Sequence, residues 1–114
     1  MKPRDDERLQ DMLESARKAV RFARGKSRSD LDTDELLSLG LVRLIEIIGE
    51  AARNVSDTTK LTHPEIQWRQ IAATRDRLIH AYSSVDLDII WDIVQNDLPP
   101  LISSLEQVLH AKGT

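Results

Sequence analysis

Between Leu36 and Val55 the chain carries apolar side chains around more than half of a helix's circumference: Leu36, Leu37, Leu39, Leu41, Val42, Leu44, Ile45, Ile47, Ile48, Ala51, Ala52 and Val55. A surface helix needs only one apolar stripe. A helix that is apolar on two sides either lies at the centre of its domain or contacts a second subunit. With 114 residues the chain has room for one domain and one core. Few other helices are then available to surround this one, and the pattern predicts a dimer interface. The helix is predicted to start near Asp32 or Thr33, with Asp34 and Glu35 in its first turn, and to run to about Val55.

The rest of the chain also reads as helix. Only four residues are aromatic and four are glycine, while Leu, Ile, Ala, Arg and Glu abound. In a first segment from Asp5 to Arg24, Leu9, Met12, Leu13, Ala16, Val20 and Ala23 recur at three- and four-residue steps, and Gly25 ends it. "NVSDTTKLTHPEIQW" is the longest polar connection. After it, Thr62 or His63 is predicted to cap a third helix with Pro64 in its first turn, ending near Tyr82. A fourth segment runs from about Asp86 to Ala111, with a kink or break expected at Pro99 and Pro100. The expected fold is all-α, an antiparallel bundle of four to five helices.

Composition removes several classes. A 31% charged and 40% hydrophobic chain fits a soluble globular protein. The absence of cysteine rules out disulfides and thiolate metal sites and suits the cytoplasm. The opening "MKPRDDERLQDML" contains no signal-peptide run, and no apolar stretch approaches the ~20 residues that span a bilayer, so no membrane partner is expected. A net charge of −3 argues against coating nucleic acid by bulk electrostatics. There is no glycine-rich phosphate loop, HExxH motif or G-x-S-x-G elbow, and His63, His80 and His110 are scattered. Neither a cofactor nor a metal is expected.

One stretch of the third helix, "TRDRLIHAYSSVD", breaks the pattern. With Arg75 at zero on a helical wheel, Trp68 falls at about 20°, Ile71 at about −40°, Leu78 at about −60° and Tyr82 at about −20°. A guanidinium thus occupies the apolar stripe, where an unpaired charge is costly. Arg75 needs an acidic partner, such as Glu46 or Glu50, or a ligand in a cleft. His80 lies about 140° away, with Asp76 one turn before it. That spacing suits an oriented imidazole for acid–base work, and equally a surface histidine near a helix C-terminus. Tyr82, on the Arg75 face, reads as a core tyrosine with its hydroxyl at the rim. Arg69 and Arg77 lie near His80 on the wheel. A basic row on the first helix, Arg17, Arg21 and Arg24 with Arg28 beyond, is either a solvated face or a surface for RNA phosphates or an acidic partner.

The segment from Arg75 through His80 to Tyr82 fits the pattern R-x4-H-x-Y. It resembles the signature of HepT-like proteins within the HEPN (higher eukaryotes and prokaryotes nucleotide-binding) superfamily. "EIIGEAARN", "PEIQWRQIAATRDRLIHAY" and "VDLDIIWDIVQNDLPPLI" extend the resemblance over nearly the whole chain, in the family's order. The resemblance implies a single HEPN-type helical domain over residues 1–114. It also implies a homodimer that acts as a metal-independent ribonuclease toxin of a type VII-like toxin–antitoxin system. The implied partner is a minimal nucleotidyltransferase antitoxin. By position, Arg75 and His80 would be the catalytic pair, Asp76 the polar residue assisting them, and Tyr82 the tyrosine that the antitoxin modifies with AMP. Other readings are a non-catalytic helical module that docks a nucleotidyltransferase or a nucleotide, and a purely structural helical dimer.

Overall fold

A computed structural model of the chain describes residues 4–80 and 84–113, apart from the side chains at 75, 79, 80, 84 and 111–113. The central helix, α3 (Glu35–Asn54), starts where Asp34 accepts a hydrogen bond from the Leu37 N–H, one of the donors a helix start leaves unpaired. It follows α1 (Asp5–Ala23) and the short α2 (Asp30–Thr33). Gly25, with φ of 76°, supplies the left-handed residue that turns the chain after α1. The acidic run Asp5, Asp6 and Glu7 sits in the first turn of α1, where the helix dipole favours negative charge.

Downstream come α4 (Asp57–Thr62), α5 (Trp68–Ala72), α6 (Thr74–Leu78), the two-residue strands β1 (Ile79–His80) and β2 (Ser84–Val85), and α7 (Leu87–Asp92). A π-helical turn (Ile93–Asp97) then leads into α8 (Leu98–Gly113). The result is a helical bundle, as expected, with one small antiparallel ladder. It is built from three long helices, α1, α3 and α8, joined by several short pieces.

The core forms where α1 packs on α3 and α8. Leu9, Met12, Ala16 and Ala19 of α1 meet Leu41, Ile45 and Ala52 of α3 and Leu105 of α8, all nearly or wholly inaccessible. Each buried leucine or isoleucine contributes roughly 1.5–3 kcal/mol. On its other sides α3 is covered by α2, α5, α6 and α7, so the chain itself uses most of the two-sided apolar surface. Leu36 (84% exposed) and Leu39 (58%) are left uncovered near the start of α3.

A buried carboxyl ties the first helix to the fourth. Asp5, with no accessible surface, accepts hydrogen bonds from the Ser56 N–H (3.0 Å), the Ser56 hydroxyl (2.6 Å) and the Thr59 hydroxyl (2.7 Å). Those bonds satisfy a group whose burial would otherwise be expensive.

The third predicted helix is not continuous. The segment around Thr62 and His63 ends a helix instead of starting one, because Ser56 caps α4 inside the stretch that reads as a polar connection. The His63 carbonyl then accepts from the Ile66 N–H and from the Trp68 indole, and α5 begins only at Trp68. At Ala73 (φ −85°, ψ 0°) the helix breaks. Here the carbonyls of Ile71 and Ala72 approach α3: a Cβ at Gly49 would lie 3.1 Å from the Ile71 oxygen, and Arg53 Nη2 donates to the Ala72 oxygen at 3.2 Å. α6 ends at Leu78, earlier than expected, and the predicted end near Tyr82 lies outside the described residues. The kink expected at Pro99 and Pro100 is the π-helical turn that precedes them. Neither proline can donate to the carbonyl four residues back, and each ring crowds it, so the turn before them widens.

The approach at Gly49 separates two otherwise similar substitutions. Gly40→Ala, with open space at its Cβ, should gain about 0.5–1 kcal/mol of helix stability. Gly49→Ala should lose that gain or reverse it, because the nearest atom is backbone. Urea melts of the two variants, compared at equal m-value, check the contrast.

Candidate active site

Two hydrogen-bonding devices place the backbone from Arg75 to His80. β1 pairs with β2 so that Ile79 faces Val85 and His80 faces Ser84, and the Asp86 N–H donates to the Leu78 carbonyl at 2.8 Å. Asp86 also caps α7, accepting from the N–H groups of Asp88 (3.0 Å) and Ile89 (3.2 Å). One residue thereby joins the end of α6 to the start of α7. A two-residue ladder is too short to persist alone, so its position depends on the helices at both ends. Leu78, 1% exposed, anchors α6 in the core.

The backbone of Arg75 lies in α6 and that of His80 in β1, within six residues of one another. Their side chains and the whole of Tyr82 lie outside the described residues, as does any ion pair from Arg75 to Glu46 or Glu50. Asp76 is exposed on α6 and Arg69 is exposed on α5. Arg77 lines a groove and stands 3.8 Å from Asp97. Among the described residues no three His, Cys, Asp or Glu side chains gather as metal ligands.

The basic row on α1 is placed elsewhere. Arg17 makes a 2.6 Å ion pair with Glu106 of α8, Arg21 lies over the Phe22 ring at 5.4 Å, and Arg24 is exposed just past the end of α1. Arg28 bridges Asp88 (2.7 Å) and Asp32 (3.0 Å), joining α2 to the start of α7. Arg17 and Arg28 thus have structural partners.

The groove beside α6 has a volume of about 280 Å³ and runs between α3, α5, α6, the π-helical turn and α8. Isoleucines from α3, α5 and the π turn, with Leu101, form its floor; Gln67, Gln70, Thr74, Arg77, Asn96 and Asp97 stand among its polar groups. Burial, and then the neighbouring Asp92 carboxylate, push the Asp97 carboxyl above its ordinary range, and Arg77 offsets them only in part. Asp97 and the glutamines were not candidates from sequence. Their signal was present: Gln67, Gln70, Thr74 and Arg77 recur at steps of three and four, a polar row at helical spacing.

A helical bundle whose Arg/His segment is held at a helix–ladder junction beside a groove defines a small all-helical class. Comparison with known proteins identifies it. A family model described as "Ribonuclease HepT-like" matches residues 12–108. The chain is 37% identical over 108 residues to a protein of Thermococcus cleftensis named "Probable ribonuclease HepT", covering 95% of this chain and 98% of that one. It is 32% identical to a protein of Methanocaldococcus jannaschii and 33% identical to one of Caldanaerobacter subterraneus subsp. tengcongensis, each named "Putative RNase". Those matches cover 94% and 90% of this chain, and 90% and 91% of the relatives. No solved structure matches. The chain belongs to the HepT-like ribonuclease family. Among the described residues no helix is long and apolar enough to cross a membrane.

A carboxyl whose folded pKa is raised binds its proton more tightly when folded, so the ionised group weakens the fold above that pKa and ceases to as pH falls through it. Asp97→Asn should therefore raise the melting temperature slightly near pH 7, with the advantage shrinking as pH falls through and below the carboxylate range. Thermal melts of parent and variant from pH 7 to pH 3 check the sign.

Proposed function

We propose that the protein is a metal-independent endoribonuclease in which Arg75 and His80 form the catalytic pair. The observation that carries this reading is the R-x4-H-x-Y segment, which lies inside the span matched by the ribonuclease family, with the Arg75 backbone in α6 and that of His80 in β1. The reaction uses the RNA's own 2′-hydroxyl as nucleophile. The 2′-oxygen forms a bond to phosphorus and loses its proton, the bond to the 5′-oxygen breaks, and that oxygen gains a proton. The products are a 2′,3′-cyclic phosphate and a 5′-hydroxyl.

His80 serves as general base or acid, a contribution of roughly 10²–10⁴-fold. Arg75 donates hydrogen bonds to the phosphorane oxygens as their charge develops. Asp76, on the helix surface, assists the pair, Arg69 meets RNA phosphates outside the reacting one, and Arg77 contacts RNA at the groove beside α6. Arg21 and Arg24 extend the basic surface along α1, while Arg17 joins them only by leaving Glu106.

The reading extends to regulation and assembly. The chain is one HEPN-type domain and acts as a homodimer, a state supported by the two leucines that α3 leaves exposed. Two-fold symmetry brings two copies of the Arg–His pair to one cleft, so that one copy can take the proton and the other give it. The protein is the toxin of a type VII-like toxin–antitoxin pair acting in the cytoplasm. Its minimal nucleotidyltransferase partner attaches AMP to Tyr82, placing negative charge where Arg75 would otherwise meet substrate phosphate.

Purified His80→Ala and Arg75→Ala should each lose at least a hundredfold in RNA cleavage while keeping the parent's oligomeric state and melting temperature. If both variants cut RNA as fast as the parent, the assignment is wrong. Co-expression with the nucleotidyltransferase should add one or more AMP masses to the intact protein and none to Tyr82→Phe, as read by mass spectrometry. A Tyr82→Phe protein that still gains AMP would move the modification elsewhere.

A further inference from the structure

The groove beside α6 has a chemistry that the cleavage reaction leaves unused. Its floor is hydrocarbon, from Ile45 and Ile48 of α3, Ile71 of α5, Ile93 of the π-helical turn and Leu101 of α8. Such a surface takes the flat face of an aromatic ring. At about 280 Å³ it falls just below the range typical of drug-sized ligands, which suits one base and not an extended cofactor. Among the described residues Gln67 and Gln70 make no side-chain hydrogen bonds, so their amides are available to a ligand.

Arg77 and Asp97 decide which base fits. A guanidinium only donates and a carboxylate only accepts. Their nearest approach of 3.8 Å exceeds hydrogen-bond length, so the attraction between them leaves both with bonding capacity. Burial already disfavours the charged form of Asp97, and incoming N–H donors would stabilise it. Together the pair offers two adjacent acceptors beside a fork of donors. Guanine presents the complement: the N1–H and N2–H₂ donors side by side, with the O6 acceptor next to them. Adenine lacks the second adjacent donor, and uracil flanks a single donor with two acceptors. Cytosine has one donor group and a smaller ring to cover the floor.

We propose that this groove is a base pocket selective for guanine, with Asp97 accepting from N1–H and N2–H₂ and Arg77 donating to O6. The base can come from a free guanine nucleotide or from a guanosine in RNA. In the second case the proposal rests on the ribonuclease reading. Thr74 and Arg77 line the pocket from α6, the helix whose backbone also carries Arg75, so a seated base would fix which phosphate reaches the catalytic pair.

The test measures binding, using the full-length His80→Ala protein so that RNA survives the experiment. GMP, AMP, CMP and UMP are titrated by calorimetry. Labelled five-nucleotide RNAs differing only in a central G, A, C or U are titrated by fluorescence anisotropy. GMP should bind about tenfold or more tightly than the other nucleotides, in line with the discrimination a good paired contact gives. Asp97→Asn should abolish that preference without lowering the melting temperature, and Ser104→Phe should block the pocket by filling it. Selectivity in both series supports an RNA base as occupant; selectivity for GMP alone supports a free nucleotide. Equal binding of all bases, a preference for cytosine, or a guanine preference that survives Asp97→Asn would overturn the proposal. A guanine-selective protein whose parent form cuts no RNA would sink the nuclease reading and keep the pocket.

Discussion

The contact on which the arrangement of this molecule turns is the approach of the α5–α6 break to the middle of α3. Helix α3 supplies a glycine at position 49, so the Ile71 carbonyl can come close, and an arginine one turn later that donates to the Ala72 carbonyl. Breaking a helix exposes carbonyls that must find donors or water. Here one of them finds a side chain on the central helix. That answer lets five residues of α5 and five of α6 change direction without leaving the core. It sets where α6 points, and with it the backbone of Arg75 and the wall of the groove.

The same economy recurs at the other end of α6. Asp86 serves two helices at once, accepting from the first turn of α7 while its own N–H closes back on Leu78. The chain between those bonds carries His80 on a ladder that could not hold itself. Geometry at the candidate active site is therefore borrowed from the caps and helix ends around it.

Much of this was legible in the residues. The apolar rows gave α1 and the end of α3 nearly to the residue, since tertiary packing there reinforces the local pattern. Helix α3, however, starts at Glu35 rather than near Asp32 or Thr33, which belong to the separate α2. Val20 is only half-buried while Ala19 takes the deeper position. The oddity of Arg75 on an apolar stripe singled out the segment whose backbone crosses from α6 into β1. What stayed hidden were breaks in helical periodicity. Trp68, Ile71 and Leu78 keep a helical spacing across Ala73, because packing on α3 places them and the backbone bends between them. The π-helical turn is silent for a similar reason: its apolar residues, Ile93 and Val94, keep the burial that an α-helix would give them. The partners of Arg17 and Arg28 were equally invisible, since Glu106 and Asp88 lie 89 and 60 residues away along the chain. The groove was missed because its wall is polar and its floor is assembled from four separate elements.

The buried Asp5 junction has a consequence of its own. Its carboxyl fits between a backbone N–H and two hydroxyls with no accessible surface to spare. Replacing it by glutamate would keep the charge and every acceptor, yet add a methylene group where the neighbours are already in contact. In a close-packed setting that is a change of volume before it is a change of chemistry. The junction measures side-chain length, so the substitution usually ranked as mildest for an aspartate would act here as a wedge between the first helix and the fourth.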